Sequence, residues 1–130
     1  MVHQQVCDYL KLRYSGVLFR TDFAAGIKLP PNVAVQHSRL QSSKSWPDLQ
    51  IVEPSHVLYG DYKGLFIELK APDVVLYKQD GTLRKNEHIE SQAEMLQKLR
   101  DRGYKAEFAV GFDAARKLID EYLTGGSPIF

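Results

Sequence analysis

Three charged side chains near the middle of the chain have the types and spacing to act together on a phosphate ester. Asp48 stands at the start of a short apolar segment, and Glu68 and Lys70 lie at the end of a second one, whose residues 64–69 read GLFIEL. Alternate side chains of a strand share a face, so Glu68 and Lys70 should point the same way, with Leu69 toward the opposite layer. A charged pair on such an apolar strand is costly unless it faces a cleft or finds partners.

Hydrolysis of a phosphodiester bond near neutral pH requires a neutralised phosphate, an activated water and a stabilised leaving oxygen. A hard divalent cation supplies all three, and it prefers carboxylate, carbonyl and water oxygens as ligands. We therefore expect Mg²⁺, with Mn²⁺ able to substitute, to bind the carboxylates of Asp48 and Glu68 and the backbone carbonyl of Leu69. Lys70 would orient or deprotonate the attacking water and stabilise the transition state by about 3 kcal/mol.

A longer ordered set of motifs contains these residues and resembles the PD-(D/E)XK nuclease superfamily, in particular its VRR-NUC branch of small phage-type nucleases. The corresponding pieces are, in chain order, Pro47-Asp48-Leu49, Glu68-Leu69-Lys70, Ser91-Gln92, Gly103-Tyr104 and residues 106–110. A bare D…ExK pattern occurs by chance in many proteins, whereas this ordered set, which spans roughly positions 46 to 122, is considerably more specific.

The resemblance implies a restriction-endonuclease-like core and a metal-dependent endonuclease that cuts DNA, including branched or flapped repair and recombination intermediates, to leave a 5′-phosphate. It also makes Gln92 a polar group at the site that supports Lys70 or the phosphate. Gln92 lies three residues after Ile89 and four before Leu96, on or beside the apolar face of its helix. The alternative for Gln92 is a boundary glutamine half in water.

The first helix departs from the pattern that the resemblance implies. That branch commonly carries a glutamate there, which completes the metal shell, whereas this chain has Gln4 and Gln5, with Asp8 one turn later. We expect Gln5 to coordinate the metal through its carbonyl or to hold a metal-bound water; the alternative is that both glutamines are solvated. Four scattered histidines show no metal-ligand spacing and are interpreted as surface or loop residues: His3, His37, His56 and His88.

Two other interpretations of the site residues stay open. The first is a catalytically weak or inactive nucleic-acid-binding module of the same fold, which the missing glutamate favours and the intact Asp48, Glu68 and Lys70 disfavour. The second is a plain α/β domain in which Glu68 and Lys70 form a structural ion pair, worth about 0–1 kcal/mol at a surface.

Trp46 could stack on a base, although an anchor between loop and strand is the simpler interpretation.

The elements that position these residues follow helical and strand patterns in alternation. Helices are predicted over 2–14 and 87–102, the latter capped by Asn86, and a last helix is capped by Asp113 and ended by the glycines at 125–126. Strands are predicted over 17–20, 49–52, 64–69 and 105–110, a hairpin over 74–84 around Asp80-Gly81, and a long loop over 27–47. This order predicts an α/β fold with a central mixed β-sheet flanked by helices and a small β-hairpin insertion.

Basic residues are unevenly placed, although the net charge of +1 argues neither for nor against nucleic acid. Positions 23–47 hold no acidic residue, and the predicted hairpin is basic. We expect these two segments to contact the phosphate backbone of duplex or branched DNA through Lys28, Arg39, Lys44, Lys78, Arg84 and Lys85. The alternative for 23–47 is an ordinary solvated loop.

The 130 residues fit one VRR-NUC-like domain over 1–125 with a loose tail over 126–130. The one cysteine, Cys7, excludes an internal disulfide and fits a reducing compartment. No apolar run approaches the roughly 20 residues that span a bilayer, and we find no signal peptide. We therefore expect a cytoplasmic protein that does not bind a membrane. A phage-encoded protein acting inside its host cell would also fit this description. A domain this small would grip a duplex best as a symmetric homodimer.

Overall fold

The computed structural model describes residues 2–22, 29–42 and 44–126, without the side chain of residue 37. Within these ranges the chain alternates between helices and strands. The helices are α1 Val2–Arg13, α2 Pro31–Arg39, α3 Glu87–Arg100 and α4 Phe112–Thr124, and the strands are β1 Phe19–Thr21, β2 Leu49–Ile51, β3 Leu65–Lys70 and β4 Lys105–Val110. In the described part of the chain, none of the helices has the length and apolarity that crossing a membrane requires.

The strands form one mixed sheet in the order β1-β2-β3-β4. β2 pairs antiparallel with both β1 and β3, whereas β3 and β4 are parallel. A parallel pair needs a crossover connection, and α3 supplies it between β3 and β4. Helices thus cover a mixed sheet, as the order of elements predicts.

The alternation of side chains along β3 divides the core between the two faces of the sheet. On one face, the buried residues packed with α1 and α4 include Val6, Leu10, Leu65, Ile67, Leu69, Ile119 and Tyr122. On the other face, the buried residues around α3 are Phe66, Met95, Leu96, Leu99 and Ala106. Glu68 and Lys70 share the parity of Phe66, so they project from the sheet on the side of α3.

The N-terminal caps of α3 and α4 differ in how well they agree with the sequence predictions. Asn86 caps α3 as predicted, because its side-chain oxygen accepts hydrogen bonds from the backbone N–H groups of His88 and Ile89 at 3.0 and 3.1 Å. α4 differs: its N-cap is Gly111, at φ +84°, and Asp113 lies within the first turn. A left-handed φ is accessible to glycine at little cost, so the backbone itself sets the start of α4.

The region predicted as a long loop over 27–47 contains the helix α2, so that prediction is wrong for residues 31–39. Pro31 is the first helical residue, a position where its fixed φ is preorganised and its missing N–H group costs nothing. Residues 31–36 are all exposed, so no buried stripe marks the helix in the sequence. The predicted hairpin is present in a minimal form, as one antiparallel bridge between Tyr77 and Leu83.

Candidate active site

The register of the sheet places carboxylates side by side at one end of three strands. Leu49 of β2 lies opposite Ile67 of β3. The residue before Leu49 is Asp48, which therefore stands across from Glu68. The backbone N–H of Asp22, just after β1, donates to the Asp48 carbonyl over 2.9 Å. Strand pairing alone thus aligns Asp22, Asp48 and Glu68 across the sheet.

The carboxylates of Asp48 and Glu68 are both nearly inaccessible to water, at 8% and 4% exposed. The backbone N–H of Leu69 donates to Asp48 Oδ2 over 2.9 Å and holds that carboxylate against β3. Burial, and then repulsion from the Asp48 carboxylate, raises the pKa of Glu68 to about 8. Burial also raises the pKa of Asp48, against the opposing effect of His3 and the Leu69 N–H. Two adjacent buried acids that resist ionisation are a pair that a cation would stabilise.

Gln92 of α3 connects the two charged residues of β3. Its Oε1 accepts a hydrogen bond from Lys70 Nζ at 2.5 Å, and its Nε2 donates to Glu68 Oε1 at 2.5 Å. Lys70 Nζ lies 3.9 Å from Glu68 Oε1, so the amide supports a pair that is not in close direct contact. Gln92 is itself buried, and this orients its amide toward both partners.

Two polar atoms around Asp48 are buried without a hydrogen-bond partner: His3 Nε2 and Glu68 Oε2. His3 Nε2 lies 3.6 Å from Asp48 Oδ2. Buried polar atoms are nearly always satisfied in folded proteins, so an unsatisfied pair at one place calls for a ligand, an ion or a water. These atoms belong to α1 and β3, and both residues line the same cleft as Asp48.

The site lies in an open cleft of about 760 Å³. Its floor is the end of β3, and its walls come from the start of α1, from α3 and from α2 with the segment that follows it. The lining side chains include His3, Asp22, Lys44, Trp46, Asp48, Glu68, Lys70, His88 and Gln92. The cleft therefore combines buried acids with a cationic and aromatic rim.

A comparison with solved structures found two matching chains. One, described as a VRR_NUC domain protein, aligns over 93% of this chain and 84% of its own, with 25% sequence identity and a TM-score of 0.56. No protein-family model matches the chain, and no curated protein matches it significantly.

The chain has a VRR-NUC-like fold.

This likeness confirms the predicted α/β architecture and the resemblance on which it depends. In the VRR-NUC-like domain, the cleft brings together the side chains predicted as catalytic: Asp48, Glu68, Lys70 and Gln92. Leu69, whose carbonyl is the predicted third oxygen ligand, also lines the cleft. The Glu68–Lys70 pair is buried and bridged by an amide, which differs from the solvated ion pair of the plain-domain interpretation.

The expectation for Gln5 needs a correction. Gln5 is exposed and does not line the cleft, whereas His3 of the same helix does. Residues two apart on a helix project about 200° from one another, so Gln5 points away when His3 points inward. The α1 group beside Asp48 in the VRR-NUC-like domain is therefore an imidazole, and Gln4 is engaged with Asp8 at 2.8 Å on the exposed side.

Two histidines interpreted from the sequence as surface or loop residues, His3 and His88, lie on helices and line the cleft. His3 lies three and seven residues before the buried Val6 and Leu10, a helical spacing that could have placed it beside the buried face. His88 lies four residues before Gln92, and their Nε2 atoms are 3.2 Å apart. That spacing is also readable in the sequence, since residues four apart share a helix face.

The predicted nucleic-acid contacts are dispersed over the surface of the VRR-NUC-like domain. Lys44 lines the cleft and is exposed. Arg39, at the end of α2, is exposed, and so are three residues of the hairpin segment, Lys78, Arg84 and Lys85. Lys28 lies outside the described residues. The described cations are accessible to a phosphate backbone, and Lys44 is the one among them that lines the cleft.

The donor set of the cleft fits a hard divalent cation. Asp48 and Glu68 are adjacent and buried, and Glu68 Oε2 has no hydrogen-bond partner; carboxylate oxygens are the ligands that Mg²⁺ or Mn²⁺ prefers. Among the described residues, no three His, Cys, Asp or Glu side chains form a ready-made metal cluster. A cation here would therefore complete its shell with backbone oxygen and water, as Mg²⁺ commonly does.

Proposed function

We propose that this protein is a nuclease that hydrolyses phosphodiester bonds in DNA with a divalent metal ion. The observation that carries the proposal is the alignment of Asp48 and Glu68 as adjacent buried carboxylates, with Lys70 on the same face of β3, within a VRR-NUC-like fold. Burial raises the pKa of both carboxyl groups, and repulsion from Asp48 adds to the rise at Glu68, so the ionised pair would be stabilised by a bound cation.

Asp48 and Glu68 would hold the cation, together with the Leu69 carbonyl and water. When bound, the ion neutralises the scissile phosphate and makes a water a better nucleophile at neutral pH. We assign to His3 the role that the sequence suggested for Gln5, since its buried Nε2 lies 3.6 Å from Asp48 Oδ2. An imidazole nitrogen there can bind the cation or one of its waters.

Lys70 has a separate task in the proposed mechanism. Its ammonium lies on the cleft side of β3 and is held by Gln92 at 2.5 Å, so it is oriented before a substrate arrives. A positioned cation stabilises the charge that develops on the phosphate oxygens, and its remaining N–H groups can orient the attacking water; only the neutral amine, after loss of its own proton to solvent, could instead take a proton from that water. Gln92 is a positioning residue in this scheme, since it acts through Lys70 and Glu68.

The substrate is proposed to be duplex or branched DNA, including flapped repair and recombination intermediates. Lys44 at the cleft, and the exposed Arg39 and basic hairpin segment elsewhere on the surface, would bind the phosphate backbone. Cleavage would leave a 5′-phosphate. A symmetric homodimer would place two such clefts on a two-fold substrate, and light scattering at micromolar concentration would report a single-chain mass if this part is wrong.

A binding module of the same fold is the second candidate. The imidazole of His3 favours it, because it replaces the negative charge that the first helix of the family commonly supplies. This candidate predicts binding of nucleic acid without turnover.

The deciding experiment incubates the purified protein with single-stranded, duplex, flapped and four-way DNA in Mg²⁺, Mn²⁺ or chelator, with Lys70→Ala alongside. We expect cleavage of at least one substrate with metal, none with chelator, and cleavage at least a hundredfold slower by Lys70→Ala. Binding of these substrates without any cleavage in either metal would exclude the nuclease and leave the binding module.

A further inference from the structure

A second cleft, of about 600 Å³, opens next to the candidate active site on the α3 side of the sheet. We call it the aromatic cleft; the residues that define it are Trp46, Phe66, Tyr104, Arg20, Arg102 and Leu40. We propose that the aromatic cleft binds one unpaired nucleobase of the substrate strand, next to the scissile phosphate. This inference rests on the proposed function and adds to it the class of substrate: a strand that is single at the cutting site.

The rings of the aromatic cleft are arranged for stacking. Phe66 is buried at the floor, with the ring of Trp46 at 6.2 Å and that of Tyr104 at 5.3 Å from it, between centroids. The Phe66 and Tyr104 rings meet edge to face, at 86°. Trp46 and Tyr104 are only partly buried, so both leave ring surface open to the cleft. Base–aromatic stacking tolerates any base, because every base has a π face.

The rim of the aromatic cleft supplies the charge and polarity that a nucleotide needs. Arg20 and Arg102 are exposed there, and the guanidinium of Arg102 is held by a hydrogen bond to the Lys98 carbonyl at 2.8 Å. Arginine binds phosphate and also stacks on rings. Leu40 is 87% exposed beside them, an apolar side chain that a flat base would cover. Polar side chains for a base edge come from Gln50 and other lining residues.

The aromatic cleft is continuous with the candidate active site. Trp46 and Asp48 line both clefts, and so do Asp22, Gln41 and Ser42. A phosphate at Asp48 and Glu68 therefore has the aromatic cleft within reach of its neighbouring nucleotide. A base stacked inside a duplex cannot enter such a cleft unless it is extruded, which costs a few kcal/mol and least where the base is already unpaired. The arrangement accordingly favours single strands, flaps and branch points over intact duplex.

The chain offers a direct reporter, because Trp46 is its one tryptophan. Its fluorescence is titrated, in chelator so that nothing is cut, with a short single-stranded oligonucleotide, with the same strand made abasic throughout, and with the matching duplex. We expect quenching by the intact strand and binding of the abasic strand that is about fivefold or more weaker, since stacking contributes about 1–3 kcal/mol per base. Duplex should quench less than the intact strand.

Three variants test where the strand binds. Arg20→Gln changes an exposed rim residue and should weaken binding of the intact strand about threefold or more, whereas Lys117→Gln on the exposed side of α4 should not. Tyr104→Phe should retain the base-dependent quenching. Equal binding of intact and abasic strands, or quenching as strong with duplex, would overturn the inference, as would the absence of quenching by any nucleic acid.

Because these titrations involve no turnover, they test the aromatic cleft independently of the proposed nuclease activity. Base-dependent quenching, without cleavage when metal is added, would support base binding by the aromatic cleft and exclude the proposed nuclease activity. Cleavage without base-dependent quenching would support the nuclease activity and exclude base binding by the aromatic cleft.

Discussion

The side-chain amide of Gln92 donates to Glu68 Oε1 over 2.5 Å and at the same time accepts from Lys70. One residue of α3 thereby fixes both charged residues of β3, which are 3.9 Å apart at their nearest charged atoms. An amide is the side chain suited to this place, because it offers a donor to the acid and an acceptor to the ammonium. The helix thus sets the geometry of a site whose other members come from strands.

Removal of this amide should lower activity without unfolding the protein. Gln92→Ala removes the hydrogen bonds that orient Glu68 and Lys70, and we expect the single-turnover cleavage rate to fall roughly ten- to hundredfold, as is typical when a supporting residue of a metal site is lost. The matched control is Gln97→Ala, on the exposed side of the same helix. A shift in the pH profile of the rate should accompany the loss, since Glu68 and Lys70 lose a shared partner. An unchanged rate and profile in a folded Gln92→Ala protein would remove the positioning role.

Stability of the metal-free protein should decrease as the pH rises. Because the pKa of Glu68 is raised from 4.5 to about 8 on folding, the folded protein binds more protons than the unfolded chain between these values. The free energy of unfolding therefore falls through this window, by up to about 1.4 kcal/mol per pH unit. Thermal unfolding in chelator at pH 6 and pH 8.5 measures the effect, and Glu68→Gln should flatten it. Stability that rises with pH equally in both proteins would contradict the raised pKa.

Metal affinity should depend on His3 and not on Gln5. Calorimetric titration with Mn²⁺ should show about tenfold weaker binding by His3→Ala, the effect expected for a group that binds a metal or orients its ligands. Gln5→Ala should bind as the wild type does, because that side chain is exposed outside the cleft. Weaker binding by Gln5→Ala, with wild-type binding by His3→Ala, would show that Gln5 is the metal-site residue and that the α1 side chains rearrange when metal binds.

Binding of DNA should depend on salt through the basic hairpin segment. Replacement of Lys78, Arg84 and Lys85 by glutamine should weaken binding and reduce the slope of log affinity against log salt by about 0.9 for each phosphate that the variant no longer neutralises. Lys117→Gln on α4 serves as the control. If the slope is the same in the triple variant and the wild type, these residues do not bind phosphate and the segment is merely solvated.

Local patterns in the sequence were sufficient to predict the placement of three site residues: Glu68, Lys70 and Gln92. The alternation of β3 predicts that Glu68 and Lys70 share a face, and the helical spacing of Gln92 from Ile89 and Leu96 places it on or beside the buried face of α3. Both signals depend on neighbours within a few residues. The same is true of β4, whose predicted limits over 105–110 agree with the structure.

Other parts of the site depend on contacts between distant segments. The register that sets Asp48 across from Glu68 joins strands separated by the connection over 52–64, and sequence periodicity does not fix it. The rotation of α1 about its axis decides between His3 and Gln5, and packing against the sheet determines that rotation. α2 carries no buried stripe, so its one signal was a proline at its start.

The most direct test of the metal-dependent active site is the single-turnover rate at which a flapped DNA is cut in Mn²⁺ by the wild type and by Lys70→Ala. A well-placed electrostatic donor contributes roughly 10²–10³-fold, so the variant should cut at least a hundredfold more slowly, and chelator should abolish cutting by the wild type. Wild-type rates from Lys70→Ala, or cutting that persists in chelator, would show that the cleft of Asp48 and Glu68 is not where the phosphodiester bond is broken.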